Sequence, residues 1–464
     1  MSTPLRVLSG LALVAAVALG GAALYERIPC DPRAPDIYLI SIDTLRADAT
    51  SPYHVERRTP HLQRLAEQGE VFERAVTPMP LTRPAHFSMF TGLYPREHGV
   101  INNVNRLPTR QLVLAEELKR NGYSTAAFVS ARHIGQSSGA GQGFDVFSEP
   151  VGRVQRRAEV AVREASQYVA TAPLEEPIFL WLHTFDPHMP YDPPARYRDH
   201  LDRQLVAKYP SMRWPIIDQI AADNHGAISK EILDYTIRLY QREVEYNDEW
   251  LGRFLDAINE HRDFNEALII LTSDHGECFE NGIYFEHLGL FEGAIHVPFV
   301  VRWPRKRVVG RSKKLVSHLD IAPTIFKELG ISSQMKVSGR AIQDLGDEPR
   351  RLLLEHPEGF DWRPRVVRMV GDDQVTHILA AQERLGLITD DWKYLRTDGT
   401  VHELYAMTPS PDEERNLAER EPELVAELSR RLDEQLRAHV RQVLLPRPID
   451  ADLRETLEAL GYTH

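Results

Sequence analysis

The chain has 464 residues and a mass of 53.0 kDa; 42% hydrophobic and 26% charged residues are ordinary for a globular protein and exclude disordered, collagen-like and coiled-coil classes. The length suggests two or three domains, and the two cysteines are too few for a disulfide framework. With 55 Lys and Arg against 67 Asp and Glu, the net charge of −12 opposes sequence-independent binding to nucleic acid.

An apolar segment lies at the N-terminus, where Arg6 precedes a run from residue 7 to 24 that is broken only by small residues. Its length is close to the ~20 residues that span a membrane, and the pattern is typical of a signal-anchor or a signal peptide. We expect residues 1–30 to export the chain to the periplasmic side and to remain as a single-pass anchor. Cleavage near Ala18-Leu19-Gly20 and secretion are the alternative.

From residue 36 onward, short apolar strands alternate with amphipathic helices. The sequence predicts strands at 37–42, 71–76, 124–129, 178–182 and 267–272, and helices at 59–69, 112–120, 154–170 and 232–258. This alternation is typical of an α/β fold with a mostly parallel sheet and helices on both faces. We expect it to form a catalytic domain over residues 36–344.

Two regions depart from this alternation. Residues 196–229 have weak periodicity, which predicts an insertion over one edge of the site. After residue 345 the pattern changes to short strands such as 392–396, followed by a charged helix at 422–443. We interpret residues 345–464 as a smaller C-terminal α+β subdomain.

Polar residues follow three of the predicted strands. Asp43, His183 and Asp274 each lie one or two residues beyond a strand, and ligands of open α/β sheets bind beyond the carboxyl ends of strands. Asp274 and His275 would offer one oxygen and one nitrogen ligand to a divalent cation, with a helix N-cap as the alternative. Asp43 after a fully apolar strand needs a partner, either a metal or an arginine, unless it caps a turn.

Two further segments carry candidate catalytic groups. His183, Asp186 and His188 lie close together in a segment stiffened by two prolines, which favours a functional over a structural role. Thr82 precedes a helix predicted to begin near Pro84, where the helix dipole and backbone N–H groups would hold an anionic ester. Simple N-capping by the threonine hydroxyl is the alternative for this segment.

Together these segments resemble the sulfatase family, within the wider alkaline-phosphatase-like superfamily. The matching segments run in order through most of the chain, at 41–48, 59–69, 90–100, 183–193, 274–277, 319–324, 392–396, 403–405 and 416–417. The resemblance implies a divalent metal ion, Ca²⁺ or Mg²⁺ with Zn²⁺ or Mn²⁺ as alternatives. Its implied ligands are Asp43, Asp274, His275 and Thr82.

The resemblance also implies roles for the remaining polar residues. Thr82 occupies the nucleophile position, and His188 matches a general acid that contacts the leaving oxygen, with His183 lining the same pocket. The resemblance implies a catalytic role for His86. It implies contact with the substrate anion for Arg83, His133 and His287.

The sequence departs from the family pattern at the nucleophile. Sulfatases have Cys or Ser there, which is oxidised to formylglycine, whereas Thr82 cannot form that aldehyde. His86 stands where the motif has arginine, Thr44 replaces the usual second aspartate, and the lysine-x-histidine segment is represented only by Arg132-His133. A direct threonine nucleophile is what phosphate-handling branches of the superfamily use, so phosphate or phosphonate esters are favoured over sulfate esters.

The expected substrate is therefore a sulfated or phosphorylated small molecule, glycan or lipid. Two alternatives remain open: an envelope phosphotransferase, and a non-catalytic protein that binds an anionic glycan. A single predicted membrane span disfavours the phosphotransferase, whose relatives usually carry several. The retained Asp43, Asp274 and His275 disfavour the binding protein, which has little need of metal ligands.

Overall fold

The computed structural model describes residues 34–444, except 153, 225–226, 281–282, 288, 357–367, 370–382, 409–410 and 412, together with 454, 455 and 457. The apolar segment predicted to be an anchor lies outside these residues. Among the helices that are described, none combines the length and the hydropathy needed to cross a membrane.

Sixteen strands are described in this part of the chain. They are β1 (Ile37–Ile42), β2 (Glu70–Val76), β3 (Ser124–Val129), β4 (Val146–Ser148), β5 (Ile178–Thr184), β6 (Ala227–Ile228), β7 (Leu268–Thr272), β8 (Cys278–Glu280), β9 (Ile283–Glu286), β10 (Phe299–Arg302), β11 (Gly310–Ser317), β12 (Leu352–His356), β13 (Arg368–Met369), β14 (Arg384–Ile388), β15 (Trp392–Thr397) and β16 (Val401–Ala406).

Eight of these strands form the main sheet, in the order β11-β2-β10-β7-β1-β5-β3-β4. Among its described strands only β10 runs antiparallel to its neighbours. All six residues of β1 are buried, because the strand lies inside the sheet with both faces covered. The prediction of a mostly parallel sheet is confirmed.

Helices cover both faces of this sheet. The α-helices in the described part of the chain are α1 (Pro60–Ala66), α2 (Thr82–Thr91), α3 (Pro95–His98), α4 (Leu114–Arg120), α5 (Ala158–Thr171), α6 (Arg203–Lys208), α7 (Trp214–Asp223), α8 (Lys230–His261), α9 (Glu292–Ile295), α10 (Ile321–Leu329) and α11 (Pro422–Ala438), of which α11 packs on a second sheet. Alternate residues of β1 point to opposite faces. Tyr38 and Ile40 pack in the core shared with α1, α5 and α8, while Ile37 and Leu39 pack in the core shared with α2, α4 and α10.

A separate antiparallel sheet lies near the C-terminus. Its strand order is β12-β14-β15-β16, and helix α11 packs on it through Leu428 and Leu432. Burying one face of an antiparallel sheet under a helix is a standard way to complete a small core. The predicted fold class, an α/β sheet with a smaller α+β subdomain, is confirmed; the exact boundary at residue 345 stays a prediction.

Several element boundaries differ from the predictions. Strand β5 continues to Thr184, so His183 lies inside the strand and not beyond its end. Helix α2 begins at Thr82 itself, and its N-cap position is Leu81. Residues 196–229 contain two helices, of which α7 buries Ile217 and Ile220 in the core that also covers α8. Their placement over an edge of the site stays a prediction.

Candidate active site

The candidate site lies at the carboxyl ends of three adjacent strands. Strand β1 pairs in parallel with β7 on one side and with β5 on the other. The register places Ser41 opposite Thr272 of β7 and His183 of β5. Parallel strands end at the same edge, so Asp43 and Asp274 emerge side by side next to His183. The expectation that these three residues share one edge therefore agrees with their placement.

A serine fixes the ends of β1 and β7 relative to each other. The Ser273 hydroxyl donates to the Ile42 carbonyl oxygen over 2.6 Å and accepts from the Leu45 N–H over 2.9 Å. Both bonds are buried, where hydrogen bonds are electrostatically stronger than in water. The aspartates that follow these two strands are therefore held on a rigid support.

Thr44, beside Asp43, adopts a left-handed backbone conformation, with φ at 52°. This conformation is rare for a β-branched residue and costs on the order of 1–3 kcal/mol. It directs the Thr44 N–H toward Asp274 Oδ1 at 3.2 Å, while the Thr44 carbonyl accepts from the Tyr240 hydroxyl at 2.9 Å. The strained turn thus orients one oxygen of Asp274.

Within the described residues, no hydrogen-bond partner is present for several buried polar atoms at this edge, among them Asp43 Oδ1, Asp274 Oδ2, His275 Nε2 and Thr82 Oγ1. Ligand atoms of the two aspartates and of His275 lie within 4.8 Å of one another. Unpaired buried polar groups are rare in proteins because each costs desolvation energy. Their convergence is the pattern expected of a cation site, and the donors are among those that divalent metals take in proteins.

The electrostatics of the two aspartates also fit a cation. Burial raises the pKa of Asp43 well above its usual range, and repulsion from Asp274 raises it further. Burial likewise raises the pKa of Asp274, against the opposing effect of nearby His86. Among the described residues, no Lys or Arg pairs with either carboxylate. A divalent cation would supply the missing charge and hold both groups ionised.

Thr82 is the first residue of α2, and among the described residues its hydroxyl has no hydrogen-bond partner in its own helix. The hydroxyl lies close enough to Asp43 to oppose, in part, the rise in the pKa of that carboxyl. The Arg83 N–H is taken by Asn103 Oδ1 at 2.9 Å, and Pro84 has no N–H. The helix start therefore offers fewer N–H groups to an anion than the sequence led us to expect, and N-capping by Thr82 does not occur.

His86 lies one turn further along α2, with both ring nitrogens engaged. Its Nδ1 donates to the Thr82 carbonyl oxygen at 2.8 Å, and its Nε2 accepts from the Ser41 hydroxyl at 3.0 Å. The Ser41 oxygen accepts in turn from Trp181 Nε1 at 2.9 Å. Burial lowers the pKa of His86, so the ring is neutral. This network fixes the helix turn that carries Thr82.

Arg83 is buried beside the site, and its guanidinium binds backbone carbonyls. Nε donates to the His133 oxygen at 2.6 Å, and Nη1 donates to the oxygens of Val104 and Asn105 at 2.7 and 3.0 Å. These bonds fasten two loops to the start of α2. Contact with a substrate anion, which the resemblance implies for Arg83, stays a prediction.

The remaining histidines line the same buried region. His188 Nδ1 donates to the Met189 carbonyl oxygen at 2.6 Å, and its ring stacks on Phe185 with centroids 4.4 Å apart. The ring of His287 stacks on His275 at 4.2 Å and lies 5.9 Å from that of His188. Burial lowers the pKa of His188 to about 3 and that of His287 well below its usual value. His133 contacts the other edge of this group through Phe185, at 5.7 Å.

The structure adds residues to the site that the sequence did not single out. The hydroxyl of Tyr240 on α8 holds the Thr44 carbonyl, although 196 residues separate the two in the chain. Gly276, two residues after Asp274, allows a close backbone approach, because a Cβ there would lie 2.0 Å from the Gly293 carbonyl oxygen. The Ser273 hydroxyl could have been suspected from its place before Asp274, whereas Tyr240 leaves no local signal.

Comparison with known proteins identifies the family. The sulfatase family model matches residues 35–331, which is more than half of the chain, and a model for the C-terminal part of N-sulphoglucosamine sulphohydrolase matches residues 280–442. Arylsulfatase K of Gallus gallus is 23% identical over 480 residues, covering 92% of this chain and 86% of the relative.

Two solved structures show the same fold at low identity. A protein in complex with its substrate D-glucosamine-2-N,6-O-disulfate superposes with a TM-score of 0.69 at 18% identity, covering 88% of this chain and 98% of its own. The phosphonate monoester hydrolase of Silicibacter pomeroyi superposes with a TM-score of 0.68 at 20% identity, with coverages of 90% and 98%. With its family model matched over the whole main sheet, this chain belongs to the sulfatase family and is an ester hydrolase of that family.

Proposed function

We propose that the chain hydrolyses phosphate- or phosphonate-type esters, with Thr82 as nucleophile and a divalent cation held by Asp43, Asp274, His275 and Thr82. The observation that carries the proposal is the convergence of buried ligand atoms of Asp43, Asp274 and His275, unpaired within the described residues, at one strand edge beside the Thr82 hydroxyl. A bound cation would neutralise the carboxylates and stabilise negative charge on the reacting oxygens as a Lewis acid. The histidine ligand favours Zn²⁺ over Ca²⁺, Mg²⁺ and Mn²⁺, for which oxygen ligands are preferred.

The residue type at position 82 supports phosphorus over sulfur chemistry. In the first step Thr82 Oγ1 forms a bond to phosphorus while the bond from phosphorus to the alcohol oxygen breaks, and the proton that Thr82 loses is matched by the one that the departing alcohol gains. In the second step water attacks the phosphothreonine or phosphonothreonine and the bond to Thr82 Oγ1 breaks, so that a proton of the water ends on Oγ1 and phosphate or phosphonate is released. A sulfothreonine has no comparable internal route to release, because a formylglycine hydrate is needed to expel sulfate.

His188 has a geometry suited to the second step. Its Nδ1–H donates a hydrogen bond to the Met189 carbonyl oxygen. In the neutral ring the proton is therefore on Nδ1, and Nε2 carries the lone pair. The low pKa of this buried imidazole keeps it neutral near pH 7 before substrate binds. A bound anionic ester would favour the protonated ring, and we propose that His188 then serves as the general acid that the resemblance implies, giving a proton to the leaving oxygen and taking one back from the attacking water in the second step.

A sulfate ester is the second candidate substrate. It is favoured by membership of the sulfatase family and by the arylsulfatase relatives. The structural relative that binds glucosamine disulfate suggests a carbohydrate as the alcohol part of the substrate, with small molecules and lipids as alternatives. The apolar N-terminal residues support action on the periplasmic side of a membrane, either anchored or secreted.

The test is an ester panel with a matched pair of threonine variants. Aryl phosphate, phosphonate and sulfate esters are assayed with Mn²⁺, Zn²⁺, Mg²⁺ and Ca²⁺, using wild type, Thr82→Val and Thr91→Val. Thr91 is an equally buried threonine at the other end of α2, bonded to the Phe87 carbonyl. We expect phosphorus esters to be the best substrates and kcat to fall at least about 10³-fold in Thr82→Val alone.

Other outcomes are equally informative. Equal kcat in wild type and Thr82→Val would refute the nucleophile. Preference for the sulfate ester would establish the second candidate. A folded protein that binds no divalent ion would support the non-catalytic alternative, and transfer of phosphate to an added alcohol in preference to water would support the phosphotransferase.

A further inference from the structure

His183 and Asp43 form a buried pair behind the candidate metal centre. His183 Nε2 lies 3.3 Å from Asp43 Oδ2, and both side chains are fully buried. The other nitrogen, Nδ1, accepts a 3.4 Å hydrogen bond from the Ser130 N–H, which also donates to the His183 carbonyl oxygen at 3.0 Å. A carboxylate only accepts and an amide N–H only donates, so the ring proton resides on Nε2 and points at Asp43.

The two oxygens of Asp43 therefore have different surroundings. Oδ2 accepts from His183, whereas Oδ1 has no hydrogen-bond partner in the described part of the chain and lies with the convergent ligand atoms. A carboxylate whose one oxygen is held by a hydrogen bond cannot rotate freely, so the direction of its second oxygen is fixed as well. Hydrogen bonds to ligating carboxylates have this effect on many metal sites.

The ring of His183 is itself held on all sides. It lies 5.0 Å from His86, 5.9 Å from Trp181 and 6.2 Å from Phe185, measured between ring centroids. Strand β5 fixes its backbone, because the residue is paired with Ser41 of β1. With both nitrogens bonded to protein and the side chain fully buried, His183 is placed to act on Asp43 and not on a substrate.

We propose that His183 is a positioning residue, which holds one oxygen of Asp43 so that the other faces the cation. The proposal rests on the metal centre of the proposed function and gives His183 a different task from lining the substrate pocket. It predicts that metal affinity, and not only turnover, depends on an N–H donor at the position of Nε2.

The experiment compares four purified proteins: wild type, His183→Gln, His183→Leu and His98→Leu. Glutamine places an N–H near the position of Nε2, whereas leucine has none. His98 is a second fully buried histidine, bonded to the Val100 N–H, whose loss tests general destabilisation. Affinity for Mn²⁺ and Zn²⁺ is measured by chelator competition on folded protein, with folding checked by circular dichroism.

We expect His183→Leu to weaken metal affinity about 10- to 100-fold, and His183→Gln to stay within about threefold of wild type. His98→Leu should melt earlier but bind metal as wild type does. If His183→Leu does not fold, His183→Asn replaces it, because the shorter amide cannot place an N–H at Nε2. Wild-type metal affinity in His183→Leu, or in His183→Asn where it takes the place of the leucine variant, would overturn the positioning role.

The two proposals fail in distinguishable ways. If wild type binds no divalent ion, the metal centre itself is wrong and the role of His183 falls with it. If wild type binds the ion and every His183 variant binds it equally, only the positioning role is wrong.

Discussion

Two buried clusters of charged residues differ in whether the protein itself supplies a cation to their carboxylates. The first is the group formed by Asp43, Asp274 and His275 at the strand ends of the main sheet. The second lies between the main sheet and the C-terminal subdomain, where Lys393 of β15 meets Glu292 of α9 and Glu413. Both are buried, and burying charge is costly in both.

The second cluster contains its own cation, the ammonium group of Lys393, which two carboxylates share. Lys393 Nζ is fully buried, donates to Glu292 Oε1 at 3.2 Å and pairs with Glu413. Glu413 Oε2 also accepts from the Glu292 N–H at 2.9 Å. Burial opposes the charge of Lys393, but the two glutamates outweigh it and raise the pKa of the ammonium. This cluster is complete as it stands and joins two parts of the fold.

The first cluster lacks what the second contains. Its carboxylates face each other, and in the described part of the chain their ion-pair partners are histidines that burial keeps neutral. The carboxylates of the second cluster therefore share a cation that the protein supplies, whereas those of the first have none within the described residues, which is the pattern expected where a cation binds. Three variants test this contrast.

The largest effect is expected from removing one carboxylate of the incomplete cluster. Asp274→Asn should lower kcat at least about 10³-fold, equivalent to ~4 kcal/mol, because the cation loses a charged ligand. The metal-free variant should nevertheless melt higher than metal-free wild type, since one of two repelling buried charges is gone. Steady-state kinetics and thermal melts in chelator measure both effects.

The control for this variant is Asp390→Asn, which removes a partly exposed carboxylate paired with Arg74. It should leave kcat unchanged. A lower melting temperature for metal-free Asp274→Asn would contradict the view that the incomplete cluster is held together at a cost.

The next effect is expected in the complete cluster. Lys393→Met should lower the free energy of unfolding by about 3–5 kcal/mol, because it leaves two buried carboxylates without a cation. Adding Glu292→Gln and Glu413→Gln should recover much of that loss, since no buried charge then remains. Denaturant unfolding of the single and triple variants measures this, and an unchanged midpoint for Lys393→Met would refute the structural role.

The smallest effect concerns a buried carboxylate whose hydrogen bonds, within the described residues, come from backbone N–H groups. Asp248 on α8 accepts from the N–H groups of His61 and Leu62 at 3.0 and 2.8 Å at the start of α1. Burial nevertheless raises its pKa to about 7. The native state then binds more protons than the unfolded state between about pH 4 and pH 7, so the unfolding free energy falls as pH rises through that window.

Asp248→Asn removes this dependence. As pH rises from 5 to 8, the free energy of unfolding of the variant minus that of wild type should increase by at least about 1 kcal/mol. Thermal melts across this pH range measure the difference. Asp256→Asn on the same helix removes an exposed carboxylate paired with Arg64 and serves as the control. Parallel curves for wild type and Asp248→Asn would show that the pKa of Asp248 is not raised.

Sequence reasoning succeeded where the signal was local. A mostly apolar strand with a carboxylate one or two residues beyond it pointed to both Asp43 and Asp274, and the alternation of strands and helices predicted the main sheet. It failed where partners are distant in the chain. The end of β5 depends on its pairing with Ile42, which extends the strand to Thr184, and no local pattern shows that.

Long-range partners had no signal at all. Lys393 meets Glu292 across 101 residues, and the Tyr240 hydroxyl reaches Thr44 across 196. The start of α2 was misjudged because Thr82 and Pro84 together look like a cap and a first turn. Only the fold shows that the threonine hydroxyl faces Asp43 instead of its own helix.

The register between β1 and β7 has a consequence for variation within this protein. Sliding one strand by a single residue would displace Asp43 by about 3.3 Å and turn its neighbours to opposite faces of the sheet. The ligand atoms would then be too far apart to share an ion. Apolar residues of the central strand, such as Leu39 and Ile40, therefore help to hold the ligand atoms in place. A substitution that loosens their packing should weaken ion binding before it unfolds the protein.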